Sequence, residues 1–368
     1  MERKKLALIF GGRSGEHVVS LRSAASIMEA VDLESYEIMP VGITRDGAWL
    51  AGPDAWLSLW EQRLPREAGR AVLLTDPGHP GLLIQSDQHP GEWRHQPVDV
   101  AFPVLHGTYG EDGTIQGLFE LAGIPYVGSG VLASATGMDK VFMKAIFQQC
   151  GLPVAPYLFF YRYQWHGLEA SWQERVATEL GFPCFVKPAN LGSSVGITKV
   201  FAPAELPAAV EEALLYDEKV LVEEFVAGRE IECAVLGDIE ASASRPGEVI
   251  PCNEFYDYRA KYIDDRSNLV VPVDLGAALE ESIKDYSIRA FRAVEASGLA
   301  RVDFFVNPDK DTVIINEINT MPGFTSISMY PKMWEASGVG YRELVGRLID
   351  IAFSRHNRRQ ALLFTPPE

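Results

Sequence analysis

The chain has 368 residues, of which 47% are hydrophobic, 23% charged and 10% aromatic, a globular composition that excludes wholesale disorder, collagen and coiled coil. At ~150 residues per domain the length predicts two or three domains. With 33 Lys and Arg against 50 Asp and Glu the net charge is −17, which argues against nucleic-acid and membrane-surface partners and requires local Lys, Arg or metal ions wherever an anion binds.

No apolar run approaches the ~18 residues that span a bilayer. The basic start is followed by Leu6–Phe10, which ends at Gly11-Gly12, too short for a secretory core. Cys150, Cys184, Cys233 and Cys252 show no C-x-x-C spacing, so free thiols in a reducing cytoplasm are predicted.

In chain order, Leu6–Phe10 reads as a buried parallel strand, Gly11-Gly12 as a turn and Ser20–Val31 as a helix. Tyr36–Ile43 is the next predicted strand. Residues 51–97 hold six prolines, five glycines and three of the seven histidines, and they read as an irregular insertion rather than core. Strand character returns at Val98–Leu105 and helix at Ile115–Leu121. A helical stretch follows Gly128-Ser-Gly130, contains Met138-Asp-Lys140 and stops at Cys150-Gly-Leu-Pro153. Next comes a strand-rich block: Pro156–Arg162, Phe182–Lys187, Gly196–Phe201, Val220–Glu224 and Arg229–Leu236. A helix fits Leu279–Ser297, and strands Ala300–Val306 and Thr312–Asn319 flank the turn Asn307-Pro-Asp309. Three α/β lobes with breaks near 128 and 226 are predicted: 1–128, 129–226 and 227–368.

The most informative chemistry lies in the last two strands. Period-2 alternation puts Arg301 and Asp303 on one face, and Glu317 and Asn319 on one face. A hairpin folded about residue 310 sets Asp303 opposite Glu317 and Arg301 opposite Asn319. Opposed carboxylates destabilise a sheet unless a positive charge lies between them, and Asp, Glu and Asn oxygens suit Mg²⁺ with phosphates completing its shell. A merely wet polar face is the plainer alternative; apolar neighbours and adjacent Arg301 favour the metal.

Lys187-Pro-Ala-Asn-Leu-Gly192-Ser-Ser-Val-Gly196 can close backbone N–H groups on phosphate oxygens, with Lys187 as countercharge. It is no Walker A loop, because the chain contains no G-K-[ST]. Gly192–Gly196 matches G-x-S-x-G, but a strand rather than a helix follows, and the single later histidine, His356, sits in a basic tail. A glycine hairpin turn remains an alternative. Gly11–His17 opens a helix and could bind an anion there, without the G-x-G-x-x-G fingerprint. His106–Gly113 reads equally as a site rim or a solvated turn. The aromatic, polar stretch 253–267 has the character of a lid, and Met321-Pro-Gly323 follows directly on Asn319.

In their order these blocks resemble the D-alanine–D-alanine ligases of the ATP-grasp family, from residue 6 to about 350. The matching pieces are Phe10–Ser20, His106–Gly113, Gly128-Ser-Gly130, Met138-Asp-Lys140, Lys187–Gly196, Phe255–Tyr262, Arg301-Val-Asp303 and Asn316–Gly323. The resemblance implies a three-lobed α/β ATP-grasp fold with an N-terminal Rossmann-like parallel-sheet domain, and ligation of two D-alanines with ATP for peptidoglycan precursors. It implies Lys140, Lys187 and Ser194 on the ATP phosphates, Glu223, Glu224, Phe225 and Val226 at the adenine, and Glu230 at the ribose. Asp303, Glu317 and Asn319 would hold two Mg²⁺, with Mn²⁺ as a substitute. Glu16 would take the first D-alanine's ammonium within a set containing Ser193 and Tyr262, while Arg301 and the Gly323 N–H would face the oxyanion. His106 would sit beside the first substrate; Lys261, Ser328 and Met329 would meet the second. A cytoplasmic homodimer is implied as well. Glu224 departs from the pattern, since many relatives carry Lys there.

Overall fold

The structure, a computed structural model, describes residues 3–85, 91–193, 195–250 and 268–363. Strand β1 (Lys4–Gly11) is central to the first sheet and pairs in parallel with β2 (Tyr36–Ile43) on one side. Its residues are apolar without alternation because both faces are covered. Leu6, Leu8 and Phe10 point into a cluster with Phe324, Tyr330, Val345, Leu348 and Ile349 from the far end of the chain. Ala7 and Ile9 point into another with Ile115 and Phe119. Gly11 ends the strand at φ +91°, and a Cβ there would lie 2.2 Å from the Ile43 carbonyl oxygen, so no side chain fits. The Ser20 hydroxyl accepts the Gly11 N–H at 2.7 Å and donates to the Val104 carbonyl at 2.6 Å, fixing the turn to the neighbouring strand end.

The reading of 51–97 as an irregular insertion is overturned. Strands β3 (Trp49–Ala51), β4 (Gly69–Leu73), β5 (Gly81–Gln85) and β6 (Trp93–Pro97) extend the sheet antiparallel beyond β2. With β7 (Val100–Pro103) beside β1, the described order is β6-β5-β4-β3-β2-β1-β7. Among the described residues the prolines lie in loops, turns and at strand ends, and Ala51, Ala55, Ala71, Leu73 and Leu82 are buried. Strands β3 to β5 contribute to the core, while β6 is mostly exposed.

The predicted single helix before Cys150 is two helices, Val131–Met138 and Lys140–Gln149, broken at Asp139. Asp139 leaves helical geometry with ψ at 104°, and its carboxylate accepts the N–H groups of Val141 and Phe142 at 3.0 and 3.1 Å. It is an N-cap. The same carboxylate pairs with buried Lys219.

Strands β8 (Tyr157–Tyr161), β9 (Cys184–Pro188), β10 (Thr198–Val200) and β11 (Lys219–Glu224) form an antiparallel sheet in the order β10-β9-β11-β8. The last sheet contains β12 (Arg229–Gly237), β13 (Ala241–Ala243), β14 (Gly247–Ile250), β15 (Asn268–Val270), β16 (Gly298–Asn307) and β17 (Thr312–Asn319). Its described order is β15-β14-β12-β16-β17, with β13 on β12. The helix Ala277–Ala293 covers it through Leu279, Ile283, Ala290 and Phe291. The mixed α/β architecture agrees with the predicted fold class. Cys150, Cys184 and Cys233 are free, and Cys252 lies outside the described residues. No described helix is long and apolar enough to cross a membrane.

Candidate active site

The β16–β17 hairpin has the predicted register, with Arg301 opposite Asn319 and Asp303 opposite Glu317. Its turn runs through Pro308–Lys310, where the Asn307 side chain accepts the Lys310 N–H at 3.3 Å. A bulge between Asp303 and Phe304 leaves Asn316 without a partner in the ladder, an irregularity common beside active sites. Val302 and Phe304 point into the core while Arg301 and Asp303 are half-buried on the other face. The Arg301 guanidinium grips Asp303 with two hydrogen bonds, at 2.7 and 2.6 Å, and lies 3.2 Å from Glu232. Burial would lower the pKa of Arg301, but Asp303, Glu232 and Glu317 raise it well above its ordinary value. Asn319 Nδ2 donates to Asp303 Oδ2 at 3.0 Å.

Two carboxylates and a carboxamide are hard oxygen donors, and a divalent cation would relieve the opposition of Asp303 and Glu317, so these residues fit Mg²⁺. Among the described residues no three His, Cys, Asp or Glu side chains form a ready-made metal cluster. The hairpin could therefore supply part of a shell, with phosphate oxygens supplying the rest.

Lys140 opens its helix beside this face. Its ammonium donates to the Leu191 carbonyl at 2.7 Å and lies 3.9 Å from Glu317. It thus joins the 187–196 loop to the acidic face. Lys187, on β9, pairs with Glu223 on β11, which also lies 3.0 Å from the ammonium of Lys144. Burial pushes the Glu223 carboxyl up, but Lys144 and Lys187 outweigh it and hold the group down at about 2. Glu224, the last residue of β11, is exposed; Phe225 and Val226 beyond it are half-buried, as is Glu230 on β12. Phe225 sits 6.1 Å from the Phe185 ring and carries the Lys199 ammonium 4.1 Å over its face.

Glu16 stands at the start of the helix His17–Ala30 without capping it. Its Oε2 would be 2.9 Å from a Cβ at Gly107 and 3.4 Å from one at Gly192. Gly107, at φ +72°, leaves the carboxylate the room that a side chain there would take. His106 is buried; its Nδ1 donates to the Met321 carbonyl at 2.8 Å and its Nε2 lies 3.2 Å from the Ser23 hydroxyl. Burial lowers its pKa, against the pull of Glu16 and the Met321 carbonyl, which agrees with a neutral ring. The Glu111 carboxylate accepts the N–H of Gly107 at 2.6 Å and of Met321 at 3.0 Å. Burial, followed by the nearby Glu16 charge, raises its pKa to about 8.

Of the predicted residues, Lys140 meets Glu317 and the 187–196 loop, Arg301 and Asn319 meet Asp303, Lys187 meets Glu223, and His106 meets Met321, two residues before Gly323. Ser193 adopts φ +57° in the 187–196 loop. Ser194, Lys261 and Tyr262, with the whole predicted 253–267 cover, fall outside the described residues. Ser328 bonds within its own turn, its hydroxyl accepting the Thr325 N–H at 3.1 Å. Met329 opens the helix Met329–Glu335, and its side chain is packed in the core. Two residues were missed. Glu111 lay inside a quoted motif without a role. Lys144 follows Lys140 by four and precedes Phe147 by three, the spacing of one buried helix face. A cleft of about 570 Å³ lined by Glu120, Leu132, Asp238, Arg292, Ser297 and Arg355 contains none of the predicted residues.

Two family models match the chain, the D-ala D-ala ligase N-terminus over residues 5–129 and the D-ala D-ala ligase C-terminus over 146–350. The D-alanine–D-alanine ligase of Heliobacterium modesticaldum is 51% identical over 98% of this chain and 97% of its own length. That of Acetivibrio thermocellus is 48% identical over 97% of each. Among solved structures, the VanG D-Ala:D-Ser ligase of Enterococcus faecalis superposes with TM-score 0.85 at 37% identity, covering 95% of this chain and all of that one. The D-alanine-D-alanine ligase of Coxiella burnetii gives 0.82 at 36% identity over 98% and 97% of the two chains. The chain belongs to the D-alanine–D-alanine ligase family.

Proposed function

We propose that the protein joins two D-alanines into D-alanyl-D-alanine at the expense of ATP, providing a peptidoglycan precursor. The observation that carries this reading is the position of Lys140, which bonds to the 187–196 loop and lies 3.9 Å from Glu317, so that cations and acidic face converge where a terminal phosphate would sit. The lobes are 1–128, 129–226 and 227–368, with ATP between the second and third. Glu223 through Val226 line the adenine and Glu230 meets the ribose. Lys140, Lys187 and the 192–196 backbone hold the phosphates. Asp303, Glu317 and Asn319 hold two Mg²⁺ or Mn²⁺, which when bound offset charge on the transferring phosphoryl group.

Glu16 takes the ammonium of the first D-alanine, near neutral His106. The carboxylate of that D-alanine attacks the γ-phosphorus and releases ADP. The amine of the second attacks the resulting acyl phosphate; its proton is lost, and inorganic phosphate departs as the tetrahedral centre collapses. Arg301 and the Gly323 N–H stabilise the oxyanion, a preorganised electrostatic task. The set Glu16, Ser193 and Tyr262 aligns the reactants, and Lys261, Ser328 and the Met329 N–H take the second carboxylate. The 253–267 segment excludes water from the acyl phosphate. Family analogy adds a cytoplasmic homodimer.

Incubation with ATP, Mg²⁺ and D-alanine, followed by mass spectrometry, tests the reading, with L-alanine, D-lactate and D-serine as alternatives. The dipeptide and one ADP per bond are expected. Absence of dipeptide, or preferential incorporation of D-serine or D-lactate, overturns it.

A further inference from the structure

Lys144 has no role in the mechanism above, yet it is 1% exposed, the most buried lysine of the described chain. Its ammonium lies 3.0 Å from Glu223 Oε2, while Glu223 Oε1 is held by Lys187. Apart from each other, neither Lys144 Nζ nor Glu223 Oε2 has a hydrogen-bond partner among the described residues. Two buried ammoniums therefore share one buried carboxylate, leaving an excess of one positive charge.

A single lysine would be enough to neutralise Glu223. With Lys187 alone the pair would be closed, and drawing Lys187 away would strand a desolvated carboxylate, the costly way to break a buried ion pair. With Lys144 present, Glu223 keeps a counterion when Lys187 turns to another anion, and the excess charge is relieved only when that anion arrives. We propose that Lys144 is a positioning residue for nucleotide binding: it retains Glu223 so that Lys187 is released to a phosphate of ATP. This rests on the reading that Lys187 is a phosphate ligand.

The test is calorimetric binding of Mg·ATP to the full chain, together with KM for ATP, KM for D-alanine and kcat. Lys144→Met keeps the length and removes the charge. It should weaken ATP binding by ~10- to 100-fold, leave KM for D-alanine unchanged and not lower Tm, because Lys187 and Glu223 remain as a neutral pair. Lys144→Arg should stay within about threefold of wild type. Unchanged ATP affinity in Lys144→Met, or an equal loss in Lys144→Arg, overturns the proposal. A separate arm, Lys187→Ala, probes the underlying reading: wild-type ATP affinity there removes Lys187 from the phosphates and the proposal with it.

Discussion

The Glu111 carboxylate accepts the main-chain N–H of Met321 at 3.0 Å, although 210 residues separate the two along the chain. The Met321 carbonyl is held in turn by His106 Nδ1 at 2.8 Å. Both main-chain polar groups of Met321, within the Asn319–Gly323 segment, are thus held by a loop from the first sheet.

This grip predicts a pH dependence. Burial and Glu16 raise the Glu111 pKa from an ordinary 4.5 to about 8. Between these values the unfolded chain has lost a proton that the native protein keeps, so stability falls as pH rises from about 4.5 to about 8 and levels off above. Glu111→Gln should be less stable at pH 5, having lost an acceptor, but should lack this decline. Urea denaturation of both proteins at pH 5, 6.5, 8 and 9 checks it; parallel pH profiles would contradict the assignment.

Removing a carboxylate from the hairpin face should stop turnover without unfolding the protein. Asp303→Ala leaves Arg301 with Glu232, 3.2 Å away, so the guanidinium is not stranded. Phosphate release dependent on D-alanine should fall by roughly 10²–10³-fold or more in Asp303→Ala and in Glu317→Ala. Near-normal rates in both would remove the metal from this face.

Arg301→Met separates binding from chemistry. ATP affinity should persist while kcat falls by ~10²–10³-fold, the cost of losing one preorganised oxyanion donor. Equal kcat values for wild type and variant would take Arg301 out of that role.

Asp139 combines two effects that substitution can separate. Asp139→Asn keeps an oxygen for the cap but leaves Lys219, 5% exposed, without its counterion, at a cost of about 3–5 kcal/mol. Asp139→Ala removes the cap as well and should cost ~1 kcal/mol more. Chemical denaturation resolves the difference, and identical losses would mean that the cap contributes nothing.

The β16–β17 hairpin was legible because alternation within each strand and the Asn307-Pro-Asp309 turn are local signals, and together they set Asp303 against Glu317. The strands β3–β6 were not, because they are only three to five residues long and the prolines and glycines between them dominate the local composition. Gly69–Leu73 does alternate, buried and exposed, once the prolines are assigned to the ends. The break at Asp139 was hidden by continuous helical spacing on either side; Asp preceding Lys140 was the available N-cap signal. Glu111 could not be interpreted from sequence because its partner is Met321, and no periodicity links positions so far apart. The family resemblance gave Lys144 no part.

The helix Tyr341–Gln360 packs Leu344, Val345, Leu348 and Ile349 against Leu6, Leu8 and Phe10 of the first strand. On a translating ribosome, β1 emerges hundreds of residues before its covering helix exists. The part of that sheet face not covered by the helix His17–Ala30 stays open to water, and to chaperones or other nascent chains, until residues 341–360 have emerged. Shortening the chain before residue 341 would therefore strip the opposite end of its cover, and the nucleotide site would be lost through the misfolding of a sheet that holds none of its lysines.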